Sequence, residues 1–277
     1  MKLEFDKKLE QAFITILESP ASEGKKKELV VHEFMERNPE LIPTPNLLNH
    51  HLHFGLVVSK FPLDTSLETD YVYLTKSSDT WRVTFVELEA PDKKMFTNNK
   101  KQVDTSSDFN KAIAQVRSWQ VFIEENKCEV MRRLNPIFYP IVMRRNPVEF
   151  NYQLIIGRSE EKNESPERIK ILNRLRKETG IDIMTYDTLI NYYRNSERYK
   201  KDILSLSKNK MKFKYTHTDS TMLFSYVSKD EFILTSKQKE YFKLKGYEID
   251  EWEQGKSLAV NGKQTMKNFS LSCMLEL

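Results

Sequence analysis

The stretch Trp81-Arg82-Val83-Thr84-Phe85-Val86-Glu87-Leu88-Glu89-Ala90-Pro91 decides how this chain reads. β-Branched and aromatic residues dominate it and Pro91 closes it, so a strand is expected over Trp81 to Leu88. Side chains alternate across a strand. Val83, Phe85, Glu87 and Glu89 therefore share one face, and Thr84, Val86 and Leu88 the other. The first face begins apolar and ends in two carboxylates. Two like charges there repel, and burial without a partner raises their pKa. A divalent cation would remove that penalty. The plainer alternative is a strand that emerges into water with a solvated acidic end.

Working outward, Asp70 opens the preceding strand, Asp70 to Leu74, which should pair with the Glu87 strand. An Asp there can point at the same spot as Glu87, and carboxylates from adjacent strands are the hard ligands that Mg²⁺ takes. Otherwise Asp70 is a turn residue. Upstream, Lys25 to Arg37 reads as a helix stopped by Asn38-Pro39. At about 100° per residue, Leu29, Val30 and Phe34 define an apolar arc that includes Glu33. A buried, unpaired carboxylate is costly, so Glu33 should find a partner. Downstream, a long helix from about Asp108 to Asn126 carries the stripe Phe109, Ala112, Ile113, Val116 and Ile123. Gln115 sits at its margin, with Lys111 and Trp119 one turn to either side.

The rest of the 277 residues sets the context. A short amphipathic helix is expected over Leu3 to Leu17, a strand over His53 to Lys60, and strand-length apolar runs over Pro136 to Arg144 and Tyr152 to Ile156. Pro166 to Thr179 reads as a helix with Pro in its first turn and Gly180 just past its end. A strand over Ile181 to Tyr186 and a short helix starting at Thr188 follow. The order of elements predicts an α/β fold with a mixed sheet flanked by helices. The Lys-rich stretch Arg198 to Lys214 reads as a boundary. Beyond it a small C-terminal appendage is expected, with a helix from Ser236 to Lys245 and a hairpin over Trp252 to Val260. The division is thus 1–24 for an N-terminal helix that could serve oligomerisation, 25–197 for the main domain and 198–277 for the appendage.

Composition narrows the function. Lys and Arg exceed Asp and Glu by four, which permits a nucleic-acid partner without demanding one. An 11% aromatic share argues against disorder. Two cysteines, Cys128 and Cys273, cannot build a disulfide scaffold and are expected to be reduced thiols. The N-terminal stretch has no uninterrupted apolar core of a signal peptide, and no segment reads as a membrane span, so a cytoplasmic location is expected. There is no Gly-x-Ser-x-Gly, no P-loop and no Gly-x-Gly-x-x-Gly, which sets aside serine hydrolases and nucleotide enzymes. His50, His51 and His53 lack a fourth ligand nearby and read as structural or surface residues rather than zinc ligands.

A helical Glu, a strand Asp, a strand Glu-x-Glu and a helical Gln, in this order, resemble the PD-(D/E)xK nuclease superfamily. More closely, the chain resembles the Shedu family of antiphage defence proteins. The stretches that carry this resemblance are His32 to Leu41, Thr69-Asp70-Tyr71, Val86 to Pro91, Ala112 to Trp119, Ile155-Ile156-Gly157-Arg158 and Met184 to Ile190. What the resemblance implies is a restriction-endonuclease-like core and a Mg²⁺- or Mn²⁺-dependent DNA endonuclease that forms a homo-oligomer. It implies Asp70, Glu87 and the Leu88 carbonyl as metal ligands, with Glu33 and Gln115 in supporting places. Glu89 falls where the superfamily's name has Lys. A Glu there can act as a general base but adds negative charge beside a phosphate, so a second metal ion or a Lys from elsewhere is needed; Lys111 is a candidate, whereas Lys93 and Lys94, nearer in sequence, are expected in a mobile loop. The polar segment Asp92 to Ser107, with Lys93, Lys94, Lys100 and Lys101, reads either as a phosphate-tracking segment or as a solvated loop. The competing expectation is a nuclease-fold module that binds nucleic acid or senses a phage component without cutting.

Overall fold

The computed structural model describes residues 2–20, 24–49, 51–99, 102–217, 222–259 and 262–265. A two-residue strand, β1 (Lys2–Leu3), precedes helix α1 (Lys7–Glu18), which Asp6 caps by accepting the Lys8 and Leu9 N–H groups. Helix α2 (Lys27–Arg37) follows, then the meander β2 (Leu52–Pro62), β3 (Glu68–Lys76) and β4 (Trp81–Leu88). Next come α3 (Ser107–Glu125), α4 (Lys127–Leu134), β5 (Val148–Ile155), α5 (Ser159–Asn163), α6 (Pro166–Thr179), β6 (Ile181–Met184) and α7 (Tyr186–Asn195). The chain continues through β7 (Arg198–Tyr199), β8 (Asp202–Ser207), β9 (Lys210–Tyr215), β10 (Phe232–Ile233), α8 (Ser236–Leu244) and α9 (Ile249–Glu253).

Eight of these strands form one sheet in the order β10-β9-β8-β2-β3-β4-β5-β6. It is mixed: β2, β3 and β4 run antiparallel as hairpins, while β4, β5 and β6 are parallel and joined by helical crossovers. The strand residues alternate between two cores. Val72, Leu74, Val83 and Phe85 meet Phe109, Val116 and Trp119 of α3 on one face. Tyr71, Tyr73, Val86 and Leu88 meet Phe13 of α1, Val31 and Met35 of α2, and Leu189 of α7 on the other. Both faces are covered, so the central strands read as nearly continuous apolar runs. Among the described residues no helix is long and apolar enough to cross a membrane.

Three expectations from the sequence do not hold. Pro136 to Arg144 is not a strand; two short 3-10 turns, Asn135–Ile137 and Ile141–Arg145, occupy it. Pro136 and Pro140 lack the N–H that a strand would donate, and Ile141 and Val142 point into solvent. Trp252 does not start a hairpin. It lies in α9, its ring 5.1 Å from that of Phe224 and its Nε1–H donating to the Val227 carbonyl at 2.8 Å; Val260 lies outside the described residues. The Lys-rich stretch after Arg198 is not a boundary. In β9 the lysines alternate with buried Met211 and Phe213, so one side of the strand enters the core and the other meets water. β8 pairs in parallel with β2, which makes residues 202–215 part of the main sheet.

This last point is testable. Phe213 is 1% exposed, with the rings of Phe232 and Phe242 at 5.8 and 5.6 Å. Phe213→Ala should cost about 3–5 kcal/mol and shift a single urea transition of the whole chain. A split into two transitions, with only one shifted, would instead show a separately folding appendage.

Candidate functional site

The hairpin register builds the site. Tyr71 pairs with Val86, so Asp70 lies opposite Glu87 at the ends of β3 and β4. Ser59 pairs with Tyr71 and Phe61 with Thr69, which places Lys60 on β2 opposite Asp70. Lys60 holds a left-handed backbone conformation (φ 50°), strain that a non-glycine residue keeps only where its surroundings impose it. Its ammonium forms an ion pair with Asp70 Oδ1. Asp70 Oδ2 accepts the Leu88 N–H at 2.6 Å, which ties the carboxylate to the neighbouring strand.

Glu87 is buried, and its Oε1 accepts the Gln115 Nε2–H from α3 at 2.6 Å. Burial drives its pKa well above the usual carboxylate range, and the nearby Asp70, Glu89 and Glu28 charges push it further. Glu89 is also buried and forms an ion pair with Lys93. The Tyr186 hydroxyl donates to the Glu89 carbonyl at 2.7 Å and pins the strand end to the start of α7. Gly157 (φ 63°) keeps the Lys93 loop in place: a Cβ there would stand 2.7 Å from the Lys93 carbonyl.

Most residues expected at the site are brought together: Asp70, Glu87, Leu88, Glu89 and Gln115. Glu33 is not among them. It is exposed on the outer side of α2, 3.4 Å from Lys25. The buried stripe of α2 is instead Lys27, Val31, His32, Met35 and Glu36. Two of its polar members are buried with hydrogen-bond partners: Lys27 donates to the Ile16 and Ser19 carbonyls, and Glu36 accepts from Lys214 and Ser59. The helical Glu that feels Asp70 and Glu89 is Glu28, whose pKa is raised by burial and then by those two charges. Lys111 stands exposed on α3, and the cation on Asp70 is Lys60. Lys93 pairs with Glu89 instead of lying in a free loop, and Lys94 is exposed with its Nζ 3.2 Å from Asn98. Lys100 and Lys101 lie outside the described residues, as do His50 and Cys273. The polar segment itself is anchored: Met95 and Phe96 are buried, and both of their N–H groups donate to Glu161 at 2.8 Å. His53 packs edge-on against Trp81.

Glu28, Asp70, Glu87 and Glu89 thus act on one another electrostatically, with Lys60 paired to Asp70 and Lys93 to Glu89. Four carboxylates and two ammonium groups leave a formal charge of −2 when all are ionised. Carboxylate oxygens and a backbone carbonyl are the donors that Mg²⁺ or Mn²⁺ takes, and one divalent ion would match that charge. Among the described residues no three His, Cys, Asp or Glu side chains form a ready-made ligand set. Lys60 must leave Asp70 Oδ1 for that oxygen to serve as a ligand.

A carboxyl whose folded-state pKa is raised favours the fold while protonated and opposes it once ionised. The contribution of Glu87 therefore declines as pH rises from its ordinary 4.5 through the raised value. Glu87→Gln keeps an acceptor for Gln115 without the charge. In chelator, it should unfold at higher urea than the parent near pH 8 and at similar urea near pH 4. Equal midpoints at both would mean that Glu87 is not held against its charge.

Two comparisons with known proteins bear on this arrangement. A search of curated proteins gives no match to the chain. The family model described as Shedu protein SduA, C-terminal, matches residues 25–190. That span covers more than half of the chain and runs from α2 into α7, so it includes every residue of the acidic cluster. The chain belongs to the Shedu family.

Proposed function

We propose that the chain is a divalent-metal-dependent DNA endonuclease of antiphage defence, built on a restriction-endonuclease-like core. The observation that carries this is the juxtaposition of Asp70 and Glu87 on paired strand ends, where burial raises the Glu87 pKa and Asp70 and Glu89 add to it. A protein keeps such repulsion when another charge relieves it. Family membership supports the antiphage role.

In this reading Asp70, Glu87 and the Leu88 carbonyl hold the ion. When bound, it would stabilise the charge that develops on a phosphodiester during hydrolysis. Gln115 fixes the Glu87 carboxylate through its 2.6 Å bond. Glu89 accepts the proton of an attacking water once Lys93 swings toward a phosphate. Lys60 takes the role of offsetting phosphate charge that the sequence assigned to Lys111. DNA is the substrate, and the exposed Lys94 contacts its backbone. A cytoplasmic homo-oligomer remains part of the proposal through the family resemblance. One observation favours the binding module as a second reading: Lys60 and Lys93 already neutralise Asp70 and Glu89 without an ion.

Supercoiled plasmid incubated with the full chain and Mg²⁺ or Mn²⁺ separates the two. The nuclease reading expects cleavage that Asp70→Asn and Glu87→Gln abolish. Glu89→Gln should lose roughly 10²–10⁴-fold in rate while retaining DNA binding. DNA binding with a steep salt dependence and no cleavage by the parent would replace the enzyme with the binding module. Lys60→Ala should weaken both binding and cleavage, more at low salt, whereas Lys111→Ala should leave both near the parent's values.

A further inference from the structure

β6 is an edge strand of the eight-stranded sheet, and a cleft of about 290 Å³ lies against it. That volume sits at the lower limit for small-molecule sites, which run roughly 300–1,000 Å³. Its walls come from α5, α6, β6, α7 and the prolines Pro43 and Pro45, and none of its lining residues belongs to the acidic cluster. Tyr192 of α7 lines it and donates its hydroxyl to the Thr44 carbonyl at 3.1 Å, which fastens the proline loop to the helix. Pro43, Met184 and Leu189 are buried and supply an apolar lining. The cleft is thus formed before any ligand enters.

Two cations line it. The Arg176 guanidinium is fixed by the Ile183 carbonyl, which accepts Nε–H at 3.1 Å and an Nη2–H, and by Asn173 Oδ1, which accepts an Nη1–H at 2.9 Å. A guanidinium carries two N–H groups on each terminal nitrogen, so one on each is left over, in the fork that suits a phosphate. Lys162 makes no hydrogen bond or ion pair among the described residues. Burial lowers its pKa and the Arg176 charge lowers it further; only Asp187, already paired with Arg158, acts the other way. Asp182 lines the same cleft and is likewise without a hydrogen bond or ion pair among the described residues. Two cations against one carboxylate leave a formal charge of +1 when all are ionised. A structural ion network would pair these groups. Here Lys162 and Asp182 stay open beside a fixed guanidinium.

We propose that this cleft binds a nucleoside monophosphate: Lys162 and Arg176 take the phosphate, Asp182 accepts a sugar hydroxyl, and the base packs on Tyr192 and the apolar lining. The cationic excess calls for an anion, the open carboxylate for a hydroxyl on the same molecule, and the aromatic and proline walls for a flat ring. The small volume suits one nucleotide rather than a dinucleotide. With no glycine-rich phosphate loop in the chain, side chains carry the recognition. The proposal does not depend on a cation at Asp70.

The test is calorimetry of the full chain with AMP, adenosine and inorganic phosphate, in chelator so that no cation at Asp70 contributes. AMP should bind at one site per chain, and adenosine and inorganic phosphate at least about tenfold more weakly, because each offers only part of what the cleft takes. Lys162→Gln should weaken AMP binding roughly 10–100-fold, the worth of a hydrogen bond to a charged group, without lowering the unfolding temperature, since Lys162 makes no bond within the fold. Asp182→Asn should weaken AMP but not inorganic phosphate. Lys170→Gln, which removes an exposed lysine of α6 outside the cleft, should leave AMP binding at the parent's value. Absence of AMP binding at millimolar concentration would overturn the proposal. So would parent-like affinity in Lys162→Gln, inorganic phosphate as tight as AMP, or an equal loss in Lys170→Gln, which would show attraction to surface charge only. Should Lys162→Gln fail to fold, crystals of the parent soaked in AMP decide: a phosphate against Lys162 and Arg176 supports the proposal, and an empty cleft overturns it.

Discussion

Like-charge repulsion between Asp70 and Glu87, held in place by the β3–β4 register, is the constraint that organises this molecule. Two carboxylates at the ends of paired strands would move apart in a flexible loop. Here the strands are covered on both faces and cannot yield. Asp70 is fastened by the Leu88 N–H and Glu87 by Gln115. Burial first, and then the Asp70 charge, raise the pKa of Glu87 in place of displacing its side chain.

Much of the surrounding structure holds that arrangement together. Tyr186 ties the end of β4 to α7, Gly157 lets the Lys93 loop pack against the end of β5, and Glu161 anchors the loop's next two N–H groups. Lys60 and Lys93 partly offset the charge. On the far side of Asp70, His32, Glu36 and Lys214 extend the network across α2 to β9. The site thus draws on elements far apart in sequence.

The strands and helices that follow simple periodicity were legible. Val83, Phe85 and Glu87 on one face announced β4, and Pro166 with Gly180 bounded α6. The Asp70–Glu87 pairing and the Gln115 contact could be anticipated because strand alternation and a helical stripe fix where side chains point. Glu28 could not be told from Glu33. Helix α2 is short and carries apolar residues on both sides, and its buried stripe includes Lys27, His32 and Glu36, which only tertiary partners make tolerable. Lys60 depended on register, which the sequence left open. Lys214 was hidden by composition: the alternation of Met211 and Phe213 was present, but the lysines between them read as a boundary. The signal that could have found β9 was its period of two.

Diffraction from crystals soaked in Mn²⁺ tests the central claim most directly. An anomalous peak within ligand distance of Asp70, Glu87 and the Leu88 carbonyl, at about 2.0–2.3 Å, with Lys60 withdrawn from Asp70, is the expected result. Lys60 still paired to Asp70 and no peak there at saturating Mn²⁺ would contradict it, and would make the acidic cluster a structural ion network rather than a cation site.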